Sequence, residues 1–215
     1  MLDVGCGGGL FLGMLAEGGV PVAGLDFSLD AAAAAWRRQK VPAVCASLSH
    51  APFAPESVAA ITMFHVLEHL YDPPSYIEAA YALLRPGGRL IIQVPNAASW
   101  QFLMFGENWS GVDIPRHLLI FRASDIEALL EQGGFKVVRR KFFSLRDNPA
   151  GLATSVAPWL DPMARRIRGA REGARVKLLK DLLYFCLTAS CVPFTLLEAA
   201  CRAGSTVMVE ARKKG

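Results

Sequence analysis

The chain has 215 residues, of which 53% are hydrophobic and 20% are charged. This size and composition exclude a disordered protein and predict one α/β domain with an added segment. The formal net charge of +4 is concentrated in residues 164–180, where seven cations accompany one acidic residue, so we expect no nucleic-acid partner. The five cysteines form no C-x-x-C pair, and residues 1–9 carry no secretory signal pattern, which is typical of a cytoplasmic protein.

Short apolar runs alternate with helical patterns over most of the chain. The strand-like runs are Leu2–Val4, Val20–Leu25, Ala43–Cys45, Ala59–Phe64 and Arg89–Val94. The helical patterns are Leu10–Ala16, Ser28–Arg38 with Ser28 or Asp30 as N-cap, and Pro74–Leu84, which the turn Arg85-Pro86-Gly87-Gly88 ends. The alternation predicts a doubly wound, mostly parallel Rossmann-like sheet of about seven strands, with helices on both faces.

The last third of the chain predicts the remaining strands and a helical insertion. A helix over Ser124–Gln132, capped by Ser124, precedes a strand over Phe135–Phe143, and Ser205–Glu210 forms the last strand. We therefore divide the chain into a core over residues 1–144, an insertion over 145–203 and a final strand with its tail over 204–215. Because Met1-Leu2-Asp3-Val4 already has the pattern of a strand end, we expect a truncated N-terminus.

A glycine-rich turn follows the first strand, in the sequence Asp3-Val4-Gly5-Cys6-Gly7-Gly8-Gly9. Glycines allow the backbone to approach a ligand and place N–H groups at a helix N-terminus. The dinucleotide fingerprint G-x-G-x-x-G requires a third glycine at Leu10, whereas D-x-G-x-G-x-G matches at every position. Asp26, after the second strand, either accepts hydrogen bonds from a ribose diol or caps the following helix.

Four motifs together resemble class I S-adenosylmethionine-dependent methyltransferases. They are the glycine-rich turn, His65-Val66-Leu67-Glu68-His69, Leu84-Arg85-Pro86-Gly87-Gly88 with Pro95-Asn96, and Pro115-Arg116-His117-Leu118. The matches span about residues 1–143 and 204–214 in the order of that family. The resemblance implies a methyltransferase that uses S-adenosyl-L-methionine and acts on a small-molecule or lipid-linked acceptor, with oxygen as the favoured acceptor atom.

The resemblance also implies which positions bind the cofactor. These are Asp3, Gly5, Cys6, Gly7, Gly9, Asp26, Phe27, Ser47, Leu48 and His65. The glycines would line the methionine and ribose, Asp3 would bind the methionine ammonium, and Asp26 would hold the ribose hydroxyls beside Phe27 at the adenine. Ser47 stands where the family usually has an aspartate for the adenine amino group, so this contact would be weaker, and Leu48 would offer its backbone N–H.

Three of the four histidines lie in the motifs, and we take His65, His69 and His117 as candidate catalytic bases because imidazole titrates near neutral pH. His65 and His69 would share one face if their segment were helical. Related O-methyltransferases, including those of ubiquinone biosynthesis, carry metal ligands in this region, and here Glu68 with the three histidines could bind a divalent ion. We favour the alternative, a structural pair of Glu68 and His69 without a metal.

The aromatic cluster that follows the fifth strand has two interpretations. Its members are Trp100, Phe102, Phe105 and Trp109. They form either a lid that packs on its own aromatic rings or one wall of the acceptor site. Arg116 likewise pairs either with an acidic group of the substrate or with Asp113.

The insertion joins the basic stretch to Leu182–Leu197, which has no charge over 16 residues and contains Pro193. A membrane span needs about 20 apolar residues, so a transmembrane helix is the least favoured interpretation. The segment is either an apolar helical hairpin, packed on the domain or on a second copy in a homodimer, or an interfacial segment. In the second case residues 164–200 would contact anionic lipid headgroups and make the protein membrane-associated.

Two other functions stay open at this point. One is a nicotinamide-dependent oxidoreductase, against which Leu10 counts. The other is a non-catalytic S-adenosylmethionine-binding module, which the departure at Ser47 and the abrupt start of the chain make plausible.

Overall fold

Among the residues described by the computed structural model, 1–169 and 172–214, seven strands form one sheet in the order β3-β2-β1-β4-β5-β7-β6. The strands are β1 (Leu2–Val4), β2 (Ala23–Asp26), β3 (Ala43–Cys45), β4 (Val58–Phe64), β5 (Leu84–Pro95), β6 (Phe135–Lys141) and β7 (Thr206–Lys213). This sheet confirms the predicted Rossmann-like, mostly parallel architecture. Arg171 of the basic stretch lies outside the described residues.

The order of the strands reverses at β1, which pairs in parallel with β2 on one side and with β4 on the other. Asp3 lies opposite Gly24 in one pairing and opposite Thr62 in the other. Ligands of open α/β sheets bind at such a switch point, outside the carboxyl ends of the strands. The topology therefore places the predicted cofactor site between the ends of β1, β2 and β4.

Helices connect these strands, and most begin and end close to their predicted bounds. They are α1 (Leu10–Glu17), α2 (Leu29–Ala34), α3 (Pro73–Leu83) and α5 (Ala123–Gln132), with α4 (Trp100–Phe105) between the last two. Ser28 is the N-cap of α2, because its hydroxyl accepts the N–H of Ala31 at 3.2 Å. The prediction that Ser124 caps α5 is wrong: the helix begins one residue earlier, and the Ser124 hydroxyl reaches Asp125 instead.

Strand β5 differs from its prediction because it begins at Leu84, directly after α3. Leu84 pairs with Val58 and Arg89 pairs with Ala60, so five positions of β5 span two positions of β4. The predicted turn over residues 85–88 is therefore present as a bulge inside the strand. Gly87 permits it with a left-handed φ of +75°.

The chain divides into two compact units. The first comprises Met1–Val94, Ala123–Arg140 and Met208–Gly215, and the second comprises Pro95–Arg122 and Lys141–Val207. The second unit thus takes in residues 95–122, which the sequence analysis assigned to the core, together with the predicted insertion.

The insertion contains three helices, α6 (Asp147–Val156), α7 (Pro162–Ile167) and α8 (Ala174–Ala200). The alternative of a helical hairpin over Leu182–Leu197 is wrong, because α8 runs through Pro193 as one helix of 27 residues. Proline removes one backbone hydrogen bond, but Cys191 and Thr195 are buried on either side of it and hold the helix in place. By length and composition α8 is, within the described part of the chain, the one helix that could cross a membrane.

Candidate active site

A cavity of about 270 Å³ opens at the carboxyl ends of β1 and β2 in the first unit. It is lined by Val4, Gly5, Leu25, Asp26, Phe27, Ala46, His65, Val66, His69, Leu70 and Tyr76. Ligand pockets typically enclose about 300–1,000 Å³, so this cavity can hold a substantial part of a nucleoside-sized ligand. The structure brings together five predicted site residues here: Gly5, Asp26, Phe27, His65 and His69.

The three predicted glycines of the turn all have left-handed φ angles, but their surroundings differ. A Cβ on Gly5 would lie 2.6 Å from Val66 Cγ2, and one on Gly9 would lie 2.7 Å from Ala35 Cβ. A Cβ on Gly7 would meet none of the described atoms within 4 Å. Gly9 is therefore required by the packing of α1 against Ala35. The space beside the Gly7 Cα, by contrast, is open to a ligand. The cofactor contacts of these glycines stay predictions.

The carboxylate of Asp26 joins the glycine-rich turn to the start of α2. Its Oδ2 accepts the N–H of Gly7 and its Oδ1 accepts the N–H of Ser28, both at 2.8 Å. Each carboxylate oxygen has a further lone pair, so Asp26 can still accept hydrogen bonds from a diol. The two interpretations of Asp26 are therefore compatible: it fixes the local backbone and also faces the cavity.

Asp3 is buried within β1 and does not line the cavity. Its Oδ1 accepts a hydrogen bond from the Thr62 hydroxyl at 2.5 Å. Burial raises the pKa of Asp3 to about 6, the Thr62 hydrogen bond opposes this change, and the nearby Asp26 adds to it. A nearby cation would favour the ionised form, so the predicted contact with a ligand ammonium is chemically reasonable but stays a prediction.

Cys6 is buried beside the same two carboxylates. Burial, together with the charges of Asp26 and Asp3, raises the pKa of its thiol to about 11. The thiol is therefore protonated at neutral pH and serves as a small apolar side chain, packed with Leu12, Ala35 and Val41.

The far side of the cavity is aromatic. The rings of Phe27 and Tyr76 lie 6.4 Å apart between centroids, and both line the cavity. Burial raises the pKa of Tyr76, while the backbone of Leu48 lowers it. Sequence reasoning missed Tyr76 because its position in α3 follows the apolar spacing of a core residue.

The predicted Ser47 and Leu48 do not line the cavity, although their neighbour Ala46 does. The Ser47 hydroxyl lies 2.8 Å from Nδ1 of His50, and Leu48 is 2% exposed in the core. The adenine contacts of Ser47 and Leu48 stay predictions. For the Ser47 contact, the hydroxyl would have to exchange His50 for the adenine amino group.

His65 follows β4 in a left-handed conformation, with a φ of +56°. Its Nδ1 lies 3.0 Å from Oε1 of Glu68, and its Nε2 lies 3.1 Å from the side-chain nitrogen of Gln93. When the Gln93 amide donates, Nε2 is the accepting nitrogen and Nδ1–H donates to Glu68. Glu68 is 1% exposed, so it is a fixed partner that orients the imidazole.

The segment that follows His65 is not an α-helix, so the condition under which His65 and His69 would share a helical face is not met. A single 3₁₀ turn covers Leu67–His69, and Val66 lies outside helical geometry. Both histidines still line the cavity, because the left-handed residue redirects the chain. Glu68 contacts His65, and it also offers a carboxylate oxygen within 4.8 Å of a ring nitrogen of His69, so the structural pair of Glu68 and His69 stays a prediction.

His117 belongs to the second unit. Its Nδ1 lies 2.8 Å from the carbonyl oxygen of Gly111, which fixes the ring within its own loop. Arg116 forms an ion pair with Asp113, as the simpler interpretation proposed. A catalytic role for His117 stays a prediction.

The aromatic cluster of the second unit packs on itself and on its helices. Trp109 is 3% exposed and meets the Phe102 ring edge-on at 5.6 Å. Trp100 packs near Phe194 of α8 at 6.0 Å, and Phe105 packs against the core formed by α6 and α8. These contacts favour the interpretation of a self-packed aromatic layer.

Comparisons with known proteins agree on the family of this chain. A family model described as a methyltransferase domain matches residues 1–140. A probable S-adenosylmethionine-dependent methyltransferase of Mycolicibacterium smegmatis is 31% identical over 143 residues, covering 64% of this chain and 52% of that protein. A ubiquinone biosynthesis O-methyltransferase of Pseudomonas fluorescens is 29% identical over 161 residues, covering 69% of this chain and 68% of that protein.

Solved structures share the fold at lower identity. Phosphoethanolamine N-methyltransferase 2 of Haemonchus contortus, in complex with S-adenosyl-L-methionine, superposes with a TM-score of 0.65 at 17% identity. The match covers all of this chain and 48% of that one. Among the sequence relatives, the chain spans about half the length of the Mycolicibacterium protein and about two thirds of the length of the Pseudomonas protein.

Proposed function

Because the chain belongs to the class I S-adenosylmethionine-dependent methyltransferases, we propose that it transfers a methyl group from S-adenosyl-L-methionine to an oxygen atom of a small-molecule or lipid-linked acceptor. The family assignment removes the oxidoreductase alternative. The observation that carries the proposal is the cavity at the switch point of the sheet, which joins the glycine-rich turn, Asp26 and a histidine.

The residues of the cavity suit a nucleoside sulfonium. Gly5 lines the cavity without a side chain, Asp26 offers acceptors for ribose hydroxyls, and the rings of Phe27 and Tyr76 offer flat apolar surface for a purine. The bound cofactor supplies an electrophilic methyl group. The protein supplies alignment, since in-line displacement depends on the geometry of the reacting atoms.

His65 is the side chain that we propose as the base. Its Nε2 can accept the proton of an acceptor hydroxyl when that hydroxyl replaces Gln93 as its partner. Glu68 is a positioning residue, because its carboxylate accepts Nδ1–H and stabilises the imidazolium that forms. Oxygen as the acceptor atom is supported by the relatives that are named ubiquinone biosynthesis O-methyltransferases.

Calorimetry tests the cofactor, and a turnover assay tests the base. S-adenosylmethionine and S-adenosylhomocysteine should bind to the 215-residue chain, whereas NADH should not. With labelled methyl donor and cell extract, mass spectrometry should detect a methylated product. His65→Gln should lower turnover by about a hundredfold or more while cofactor affinity stays within about threefold.

Two results would contradict the proposal. Tight binding of NADH, without binding of S-adenosylmethionine or S-adenosylhomocysteine, would exclude S-adenosylmethionine as the cofactor. Binding of S-adenosylmethionine without turnover on any extract would instead favour the non-catalytic module. A variant of the exposed His50, which does not line the cavity, serves as the matched control for His65→Gln.

A further inference from the structure

Helix α8 exposes an apolar stripe along most of its length. Its members are Leu178, Leu179, Leu182, Phe185, Leu196 and Leu197, each between 50% and 70% exposed. At 100° per residue these positions fall within about 120° of the helical circumference, so they share one face. Between Phe185 and Leu196 the exposed residues of this face are Cys186, Ala189, Ser190 and Pro193. No charge interrupts this face from Leu182 to Leu197, a length of roughly 24 Å at 1.5 Å per residue.

The opposite face of α8 is committed to its own unit. Cys191 packs with Leu152 and Ala153 of α6, and Tyr184 shares a hydrogen bond of 2.9 Å with Thr154. Glu198, fully buried, accepts the side-chain amide of Gln101 at 3.0 Å. A helix held along one side in this way cannot be surrounded by lipid, which argues against a transmembrane arrangement. Only its outer face is available to a partner.

Cations concentrate at the N-terminal end of the same stripe. Arg175 lies on the stripe one turn before Leu178, Arg166 and Arg168 are exposed earlier in the chain, and Lys177 is exposed on the other side of α8. The two acidic residues of the segment 162–197 are held in ion pairs: Glu172 with Arg165 and Lys180, and Asp181 with Arg165. The exposed charge of this end is therefore positive.

We propose that the outer face of α8 lies flat on an anionic lipid surface. The apolar stripe would enter the boundary between headgroups and acyl chains, and the exposed cations would contact lipid phosphates. A second copy of the chain could cover the leucines, but it would bring the same cations without acidic partners. An anionic bilayer matches both features of the surface, and it is the occupant that the charge favours.

Vesicle flotation of the 215-residue chain tests this proposal. The chain should float with vesicles in which about a third of the lipid is phosphatidylglycerol, and bind pure phosphatidylcholine at least about tenfold more weakly. Leu182→Gln/Phe185→Gln should lower the binding to anionic vesicles about tenfold or more. Replacing Arg166, Arg168, Arg175 and Lys177 by Gln should lower it by a similar factor and remove most of its salt dependence.

Matched controls distinguish binding through this surface from nonspecific apolar adsorption and from nonspecific electrostatic attraction. Val138→Gln changes a 53% exposed apolar side chain of β6, and should leave vesicle binding unchanged. Replacing the exposed Arg37, Arg38, Lys136 and Lys141 by Gln removes the same charge elsewhere, and should lower binding less than twofold. Thermal unfolding and calorimetry with S-adenosylmethionine check that each variant is folded.

Either of two outcomes overturns the proposal. One is the absence of binding to both kinds of vesicle. The other is a concentration-dependent dimer in light scattering that Leu182→Gln/Phe185→Gln dissociates while vesicle binding does not change, which would assign the stripe to a second copy. Since lipid binding is measured without methyl transfer, failure here leaves the proposed function untouched.

Discussion

The cavity of the first unit and helix α8 of the second unit are both accessible to solvent, but they are built in opposite ways. Around the cavity, two polar contacts fix the groups that face it: the Asp26 carboxylate accepts the N–H of Gly7, and Glu68 lies 3.0 Å from His65. The outer face of α8 has no such polar pattern and consists mainly of leucine. The cavity is thus suited to recognise a ligand by directed hydrogen bonds, whereas the outer face of α8 is suited to recognise a partner by its apolar area and its charge.

This difference implies that single substitutions act differently in the two regions. A small change at the turn should alter the fold or the ligand affinity strongly, because a few directed contacts carry the site. A change on the outer face of α8 should leave the fold intact and act only on what the face binds. Six substitutions at five positions test this comparison.

The largest effect is expected for Gly9→Ala. Its φ of +75° and a Cβ placed 2.7 Å from Ala35 Cβ combine backbone strain with overpacking, and should cost about 3–5 kcal/mol of unfolding free energy. Gly7→Ala, with a φ of +53° and open space around its Cβ, should cost about 1–2 kcal/mol. Urea unfolding measures both, and equal losses would show that Gly9 has no special packing role.

Asp3→Asn should change the pH dependence of stability. The pKa of Asp3 is raised from 3.8 to about 6, so its favourable contribution is present below about pH 4 and is lost as the pH rises through about 6. Above that pH the buried carboxylate costs up to about 3 kcal/mol. Asp3→Asn should therefore be more stable than the parent chain at pH 8, and their difference should shrink toward pH 4.

Urea unfolding without cofactor, at several pH values, measures this effect. Glu17→Gln removes an exposed carboxylate at the end of α1 and separates the loss of any charge from the loss of a buried one. A constant difference between Asp3→Asn and the parent chain over the whole pH range would contradict the burial of an ionisable Asp3.

Asp26→Ala should weaken binding of S-adenosylmethionine by about 1.5–3 kcal/mol, the range of hydrogen bonds to a charged group. Part of this loss would come from the turn, since the N–H groups of Gly7 and Ser28 lose their acceptor. Asp26→Asn keeps one carbonyl oxygen and should lose less. Calorimetry measures both, and an unchanged affinity in Asp26→Ala would remove this residue from the site.

The smallest effect is expected for Glu198→Gln on the buried side of α8. The amide oxygen can still accept the backbone N–H of Gln101, while one side-chain hydrogen bond is lost. Burial raises the pKa of Glu198, so removal of its charge offsets part of that loss. We expect a change within about 1 kcal/mol in unfolding and none in vesicle binding. A loss of vesicle binding would mean that the two faces of α8 are not independent.

The sequence predicted the parts of this molecule that depend on local pattern. The strands β1 and β3 and the helix α1 follow from apolar runs between glycine turns, and Asp26 follows from its place after a strand. These features depend on the spacing of residue types, which is visible without coordinates.

Features that depend on long-range packing were not predictable. The contact of His65 with Glu68 requires a left-handed residue. Histidine is enriched in that conformation among non-glycine residues but adopts it at only a minority of positions, so the sequence does not fix it. Tyr76 lines the cavity because α3 packs against the 3₁₀ turn over Leu48–His50, which follows β3. The continuity of α8 through Pro193 likewise depends on buried neighbours on either side.

The hydrogen bonds of Asp26 have a consequence for the speed of ligand capture. These hydrogen bonds order the glycine-rich turn in the ligand-free chain. Cofactor binding therefore requires no preceding or accompanying folding of this loop. We therefore expect a single-phase association whose rate rises linearly with cofactor concentration, as stopped-flow fluorescence would record. In Asp26→Ala the turn must first adopt its binding-competent conformation. The observed association rate should therefore level off to a plateau at high cofactor concentration.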